Sequence, residues 1–190
     1  MHPQDLLEPR VQPLAIPHQR PQPAHGVADG PQVVPPEPRL VGEHLQSRGW
    51  RLATAESCTG GWVAEVVTAT AGSSTWFDCG FITYSNDAKC ALLGVSPMTL
   101  ARHGAVSEQT TAAMVRGTLE RAEADLALSI SGVAGPTGGS PEKPVGTVCF
   151  GWGRTGETPG TATCHFDGDR ESVRYQAVVF ALEELLRRYA

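Results

Sequence analysis

Short β-branched or apolar runs alternate along this chain with helical patterns, and that alternation limits its possible folds more than any other feature. Leu40, Val41, His44 and Leu45 suggest a short helix closed by Gly49, and Arg51-Leu52-Ala53-Thr54-Ala55 then reads as a strand. Trp62, Val63, Val66, Val67 and Thr70 fall at helical spacing and end near Gly72. Trp76 to Tyr84 is a second β-rich run, followed by a short helix from Asn86 to Leu93 that Gly94 stops. Ser107 caps a longer helix reaching about Glu123. Asp125 to Ile130 reads as a buried strand, and Val145 to Trp152 with Thr161 to Phe166 as a hairpin. Asp169 to Tyr189 closes the chain as a helix with Val173, Ala177, Phe180, Ala181 and Leu185 on one face. Strands interleaved with helices, plus one hairpin, predict an α/β fold. The expected form is a three-layer α/β/α sandwich on a mixed, mostly parallel sheet of about five strands.

Residues 1–38 have a different texture. They hold ten of the fifteen prolines and almost no periodic apolar pattern. Such a segment cannot bury enough apolar surface to offset its ordering entropy, so we expect a disordered leader over 1–38 and a folded domain over 39–190. An upstream extension from a misassigned start codon would look the same. The net charge of −5 comes with no basic stripe, which argues against direct nucleic-acid contact. No apolar run approaches the roughly 18 residues of a membrane span, and the first residues do not form a signal peptide. The five cysteines are scattered without a CxxC pair, as expected of reduced thiols in a cytoplasmic protein. The histidines do not cluster with them, so neither a metal nor a cofactor is expected.

Three stretches have the residue types for chemistry. Glu56-Ser57-Cys58-Thr59-Gly60-Gly61 lies where a strand meets a helix. A hydroxyl there can act as a nucleophile beside unpaired helix N–H groups that would stabilise an oxyanion; equally, Ser57 or Thr59 can simply cap the helix. Tyr84-Ser85-Asn86-Asp87-Ala88-Lys89 ends the second strand. No histidine makes a convincing partner for a serine, but a desolvated lysine can serve as its base, whereas arginine stays charged. Only Lys89 and Lys143 are lysines among fifteen basic residues. The plainer reading of Lys89 is a solvated surface cation. Gly132 to Gly139 follows a buried strand, where a glycine-rich loop either cradles a ligand or merely turns the chain. Gly151-Trp152-Gly153-Arg154-Thr155-Gly156 matches a dinucleotide fingerprint, but Glu157-Thr158-Pro159-Gly160 cannot open the required helix, so a hairpin loop is expected. Arg170 in the first turn of the last helix opposes the helix dipole. It therefore calls for an anionic partner or for pairing with Asp167 or Glu171.

Taken together, seven segments resemble one family. LATAESCTGG (52–61), ITYSNDAK (82–89), LLGV (92–95), HGAVSEQT (103–110), SGVAGPTGG (131–139), KPVGTV (143–148) and FDGDRESVR (166–174) occur in the order found in the CinA C-terminal domain family. The resemblance covers about residues 40 to 189. It implies hydrolysis of the carboxamide of nicotinamide mononucleotide to nicotinic acid mononucleotide and ammonia, in pyridine nucleotide salvage. It also implies Ser57 as nucleophile, Lys89 as base and Tyr84 as a further catalytic residue. Thr59, Gly60, Gly61, Thr137, Gly138 and Arg170 would bind the small-molecule nucleotide, the backbone of Thr59 to Gly61 would receive the oxyanion, and Lys143 would be a candidate for the phosphate. No counterpart of the N-terminal domain of full-length members is seen. The alternatives are a nucleotide-binding module that does not hydrolyse its ligand and an interaction protein linked to competence or DNA damage. A homo-oligomer is expected, with Trp62, Trp76 and Trp152 among the candidates for a buried subunit contact.

Overall fold

A computed structural model describes residues 38–189; the expected leader lies outside them, apart from Pro38, which opens the first helix. The elements follow the expected order. They are α1 (Pro38–Arg48), β1 (Leu52–Glu56), α2 (Trp62–Thr68), β2 (Phe77–Ile82), α3 (Asn86–Leu93), α4 (Pro97–His103), α5 (Glu108–Arg121), β3 (Leu126–Gly132), β4 (Thr147–Arg154), β5 (Gly160–His165) and α6 (Arg170–Tyr189). A single 3-10 turn at Ser73–Thr75 precedes β2. Only α4 has no counterpart in the sequence reading. Ser96 caps it and Pro97 occupies its first turn, a start signal for a helix of just seven residues.

The sheet order is β2-β1-β3-β4-β5. β1 pairs in parallel with β2 and β3, while β4 is antiparallel to β3 and to β5. The sheet is therefore mixed, and β4 alone runs against the rest. The parallel part ends its strands at one edge, and the site lies there.

The two faces of the sheet pack differently because alternate strand residues differ in size. On one face Leu126, Leu128 and Ile130 join Phe150, Trp152 and the apolar stripes of α1, α2 and α6 in the larger core. Phe150 packs against Phe180 with ring centroids 4.8 Å apart, and Trp152 donates its indole N–H to the carbonyl of Ala181. Trp76 and Trp152 are fully buried in this core, so neither is available for the subunit contact expected of them. On the other face stand Ala127, Ser129, Gly151 and Gly153, and α5 approaches closely. A Cβ on Gly153 would fall 2.6 Å from a methyl of Val115. Ser129 donates to the carbonyl of Thr111, and the Thr111 hydroxyl donates to that of Phe150, which satisfies polar groups buried by this contact. As expected, Gly151 and Gly153 lie within β4 and lead into a hairpin.

Candidate active site

Ser57 follows directly on β1, and its amide still donates to Ile130 of β3, so it is held at the sheet edge. The turn after it is fastened by Glu56. This carboxylate is 1 % exposed and accepts the amides of Gly61, Val63 and Ala64 at 3.0, 3.1 and 2.9 Å. An acidic side chain thus caps α2, where the helix end is partly positive. Neither Ser57 nor Thr59 does so, and the capping alternative for these hydroxyls is excluded. The sequence reading missed this role of Glu56, although Glu56 lies five residues before Gly61. A carboxylate at the strand end, rather than in the helix, departs from the usual capping pattern.

Lys89 enters from the first turn of α3, whose cap is the Ser85 hydroxyl. Its side chain turns inward together with Leu93 one turn later. Lys89 is 0 % exposed, which overturns the solvated alternative. Its Nζ donates to Ser57 Oγ at 3.0 Å and to the carbonyl of Thr83 at 2.7 Å. Burial lowers its pKa below the ordinary 10.5, because an ammonium ion in this apolar setting is poorly solvated. Cys58, beside the serine, is pushed up to about 11, mainly by its own burial. The thiol stays neutral at pH 7, and of the two side chains it is the serine hydroxyl that Lys89 contacts.

Tyr84 is 62 % exposed and its hydroxyl accepts a hydrogen bond from Arg170 at 3.0 Å. The same guanidinium donates to the carbonyl of Gly135 at 2.9 Å, tying β2, the loop after β3 and α6 together. Arg170 pairs with neither Asp167 nor Glu171. Asp169 caps α6 by accepting the amide of Ser172, and its pKa is lowered by that backbone bond. An open cleft of about 660 Å³ adjoins the turn, lined by Gly60, Gly61, Trp62, Glu65, Asp169, Arg170, Glu171 and Arg174.

Two expectations about the oxyanion site need correction. The Gly61 amide is taken by Glu56, and the Gly60 amide donates to the Ser57 carbonyl. Thr59 is fully buried, so its side chain cannot face the cleft. The amides not engaged by another residue belong to Cys58, which faces only its own thiol, and to Thr59. Thr137 and Gly138 lie on an exposed loop outside the residues lining the cleft. Lys143 donates to the carbonyl of His103 and lines a separate cleft of about 440 Å³ with Ser107 and Cys149, away from the phosphate role considered for it. Arg174, which the sequence reading left without a role, lines the main cleft and touches the serine turn.

A serine hydroxyl on a strand–helix turn, in contact with a buried lysine on a three-layer α/β frame, is the kind of pairing that hydrolases of several folds use. The comparisons narrow that class. The CinA C-terminal domain model matches residues 37–189, and the chain belongs to that family. The nicotinamide-nucleotide amidohydrolase PncC of Enterobacter agglomerans is 56% identical over 150 residues, 78% of this chain and 91% of the relative. The protein of the same name from Escherichia coli K12 is 55% identical, covering 78% of this chain and 90% of its own. A competence or damage-inducible protein from Enterobacter asburiae has a crystal structure that superposes with a TM-score of 0.78. Its identity is 42%, over 80% of this chain and 96% of that one.

Proposed function

We propose that this chain hydrolyses the carboxamide of nicotinamide mononucleotide, giving nicotinic acid mononucleotide and ammonia, as part of pyridine nucleotide salvage. The observation that carries the proposal is the 3.0 Å contact between Ser57 Oγ and the fully buried Lys89. The names of the relatives supply the substrate. The cleft suits such a ligand. Its carboxylates Glu65, Asp169 and Glu171 and the indole of Trp62 offer partners for a cationic pyridinium ring, and Arg170 offers one for a phosphate.

In the proposed reaction Lys89 is neutral. It keeps one N–H on the Thr83 carbonyl and turns its lone pair to the Ser57 hydroxyl. Ser57 Oγ attacks the carboxamide carbon as its proton passes to Nζ. The tetrahedral oxyanion is received by backbone amides next to Ser57. Lys89 then returns the proton to the leaving nitrogen, ammonia departs and an acyl-serine remains. Water attacks the acyl carbon, losing a proton to Nζ; Nζ returns that proton to Ser57 Oγ as the acyl–oxygen bond breaks, releasing the acid and restoring both side chains. Tyr84, bonded to the cleft residue Arg170, is assigned a further contact with the reacting group; Gly60 and Gly61 supply the cleft wall, and Thr137 and Gly138 are assigned contacts with the ligand from their exposed loop.

A cytoplasmic setting and a homo-oligomeric state go with this reading. No helix among the described residues is long and apolar enough to cross a membrane. Any subunit contact must use surfaces other than Trp76 and Trp152. The folded domain is taken as 39–190, preceded by the Pro-rich segment.

The test is ammonia release from nicotinamide mononucleotide by the purified protein beside Ser57→Ala and Lys89→Ala. Turnover by the parent that both substitutions abolish in folded protein supports the reading. Absence of ammonia from the folded parent rejects the substrate.

A further inference from the structure

The turn that carries Ser57 is gripped from two sides, and only one grip is explained by helix capping. On the amide side, Glu56 takes the N–H groups of Gly61, Val63 and Ala64. On the carbonyl side, Arg174 reaches across from α6. Its Nε donates to the Cys58 carbonyl at 3.1 Å and a terminal nitrogen donates to the Thr59 carbonyl at 2.8 Å. The same guanidinium lies over the ring of Trp62, 5.0 Å from its centroid, which fixes its plane. Arg174 has no carboxylate partner in an ion pair among the described residues, so these neutral carbonyls and the indole face are what hold it.

Both carbonyls belong to the two residues immediately after Ser57. A peptide unit is rigid, so holding a carbonyl fixes the direction of the amide on its far side. Fixing the Cys58 carbonyl sets the Thr59 amide, and fixing the Thr59 carbonyl sets that of Gly60, which closes the turn onto the Ser57 carbonyl. The turn is thereby kept in the conformation that presents Ser57 Oγ to Lys89. The amides next to the serine remain uncommitted to any other residue. A lysine could not take over this task, since a guanidinium has a planar fork that meets two carbonyls at once while an ammonium is a point charge on a flexible stem.

We propose that Arg174 is a positioning residue of the reaction: it acts through the carbonyls of Cys58 and Thr59 to hold the Ser57 turn and its oxyanion donors in place, and it does not bind the substrate's anionic group. This rests on Ser57 being the nucleophile. Its effect therefore belongs in the chemical step and not in substrate affinity. A mere cleft cation would show the opposite split, because contacts equal in ground and transition state move KM alone.

The experiment compares the parent with Arg174→Ala and Arg174→Lys in two assays. One is steady-state ammonia release from nicotinamide mononucleotide; the other is the rate at which a small phosphonofluoridate labels Ser57, followed by intact mass. That reagent carries no pyridine nucleotide, so it reads the nucleophile turn even if the substrate assignment is wrong. We expect Arg174→Ala to lower kcat and the labelling rate together by about 100-fold, the scale of losing one oxyanion donor, with KM within about threefold. Arg174→Lys should recover only a small part, and added guanidinium ion should partly restore Arg174→Ala. A raised KM with kcat and labelling unchanged would overturn the proposal in favour of substrate binding. Equal losses that follow a lowered melting temperature and do not respond to guanidinium would overturn it in favour of a structural role. Slowed labelling of Arg174→Ala, beside a parent that is labelled but releases no ammonia, would leave Arg174 as proposed and reject the substrate.

Discussion

Two glycine-containing segments of this chain look alike and do opposite work. The turn at 57–61 follows β1 and opens α2; the segment at 151–156 lies in β4 and opens a hairpin. In the first, Gly60 and Gly61 adopt positive φ, at 63° and 99°, so the backbone can turn sharply under Glu56 and beside the cleft. In the second, Gly151 and Gly153 are extended, and what matters is the missing Cβ, which admits α5. One pair of glycines serves backbone conformation and the site, while the other serves packing. The difference follows from the neighbouring strand. Parallel strands end together and deliver their turns to a common edge, whereas β4 runs against them and ends its segment at the opposite edge.

Four substitutions break or sharpen this contrast. The largest effect belongs to Ser57→Ala in the first segment. Ammonia release should fall by at least about a thousandfold while the melting temperature stays within about 2 °C, since one hydroxyl leaves little volume behind. A variant retaining a tenth of parental turnover would remove Ser57 from the chemistry. Next is Glu56→Gln, which replaces one of two accepting oxygens with a donor and leaves at least one buried amide unmatched. Urea unfolding should show a loss of about 2 kcal/mol, and turnover should drop with it because the serine turn loosens. Third, Gly151→Ala in the second segment puts a Cβ 2.7 Å from Ser129 Oγ and 3.0 Å from the Thr111 carbonyl. A cost of about 1–3 kcal/mol in stability is expected, with kcat per folded molecule unchanged. A selective loss of kcat would show that the two segments are coupled.

The smallest effect concerns pH. Lys89 has its pKa lowered in the folded state, so below 10.5 the unfolded chain binds more protons at this position than the folded one. Stability should therefore rise with pH toward 10.5 and weaken as pH falls through that window. Lys89→Met should lose this slope in a urea series from pH 6 to about pH 10, whatever its effect on stability at any one pH. Turnover by the parent should rise with pH over the same range, as the neutral amine becomes populated. A flat profile would argue against Lys89 as the base.

Much of this was legible from residues 40–189 alone. Helix–strand alternation yielded every element except α4, whose seven residues are too few to establish a periodic pattern. The segments holding Ser57 and Lys89 could be picked out because a hydroxyl at a strand–helix junction and a rare lysine at another are local facts. The true cap of α2 was missed because Glu56 sits outside the helix it serves. Arg174 was missed because its partners, Cys58 and Thr59, lie more than a hundred residues away along the chain.

What the sequence determined by itself, then, is the order of elements, the mixed character of the sheet and the candidacy of Ser57 and Lys89. Those depend on spacing, turn chemistry and residue type, which are properties of short stretches. Which hydroxyl meets which base, and which backbone amides remain unengaged, was decided only by tertiary structure. The 3.0 Å contact of Ser57 with Lys89 joins residues 32 positions apart, and burial then shifts the lysine toward the neutral form. Proximity and desolvation arise from packing the whole sheet between its helices, and no local pattern encodes them.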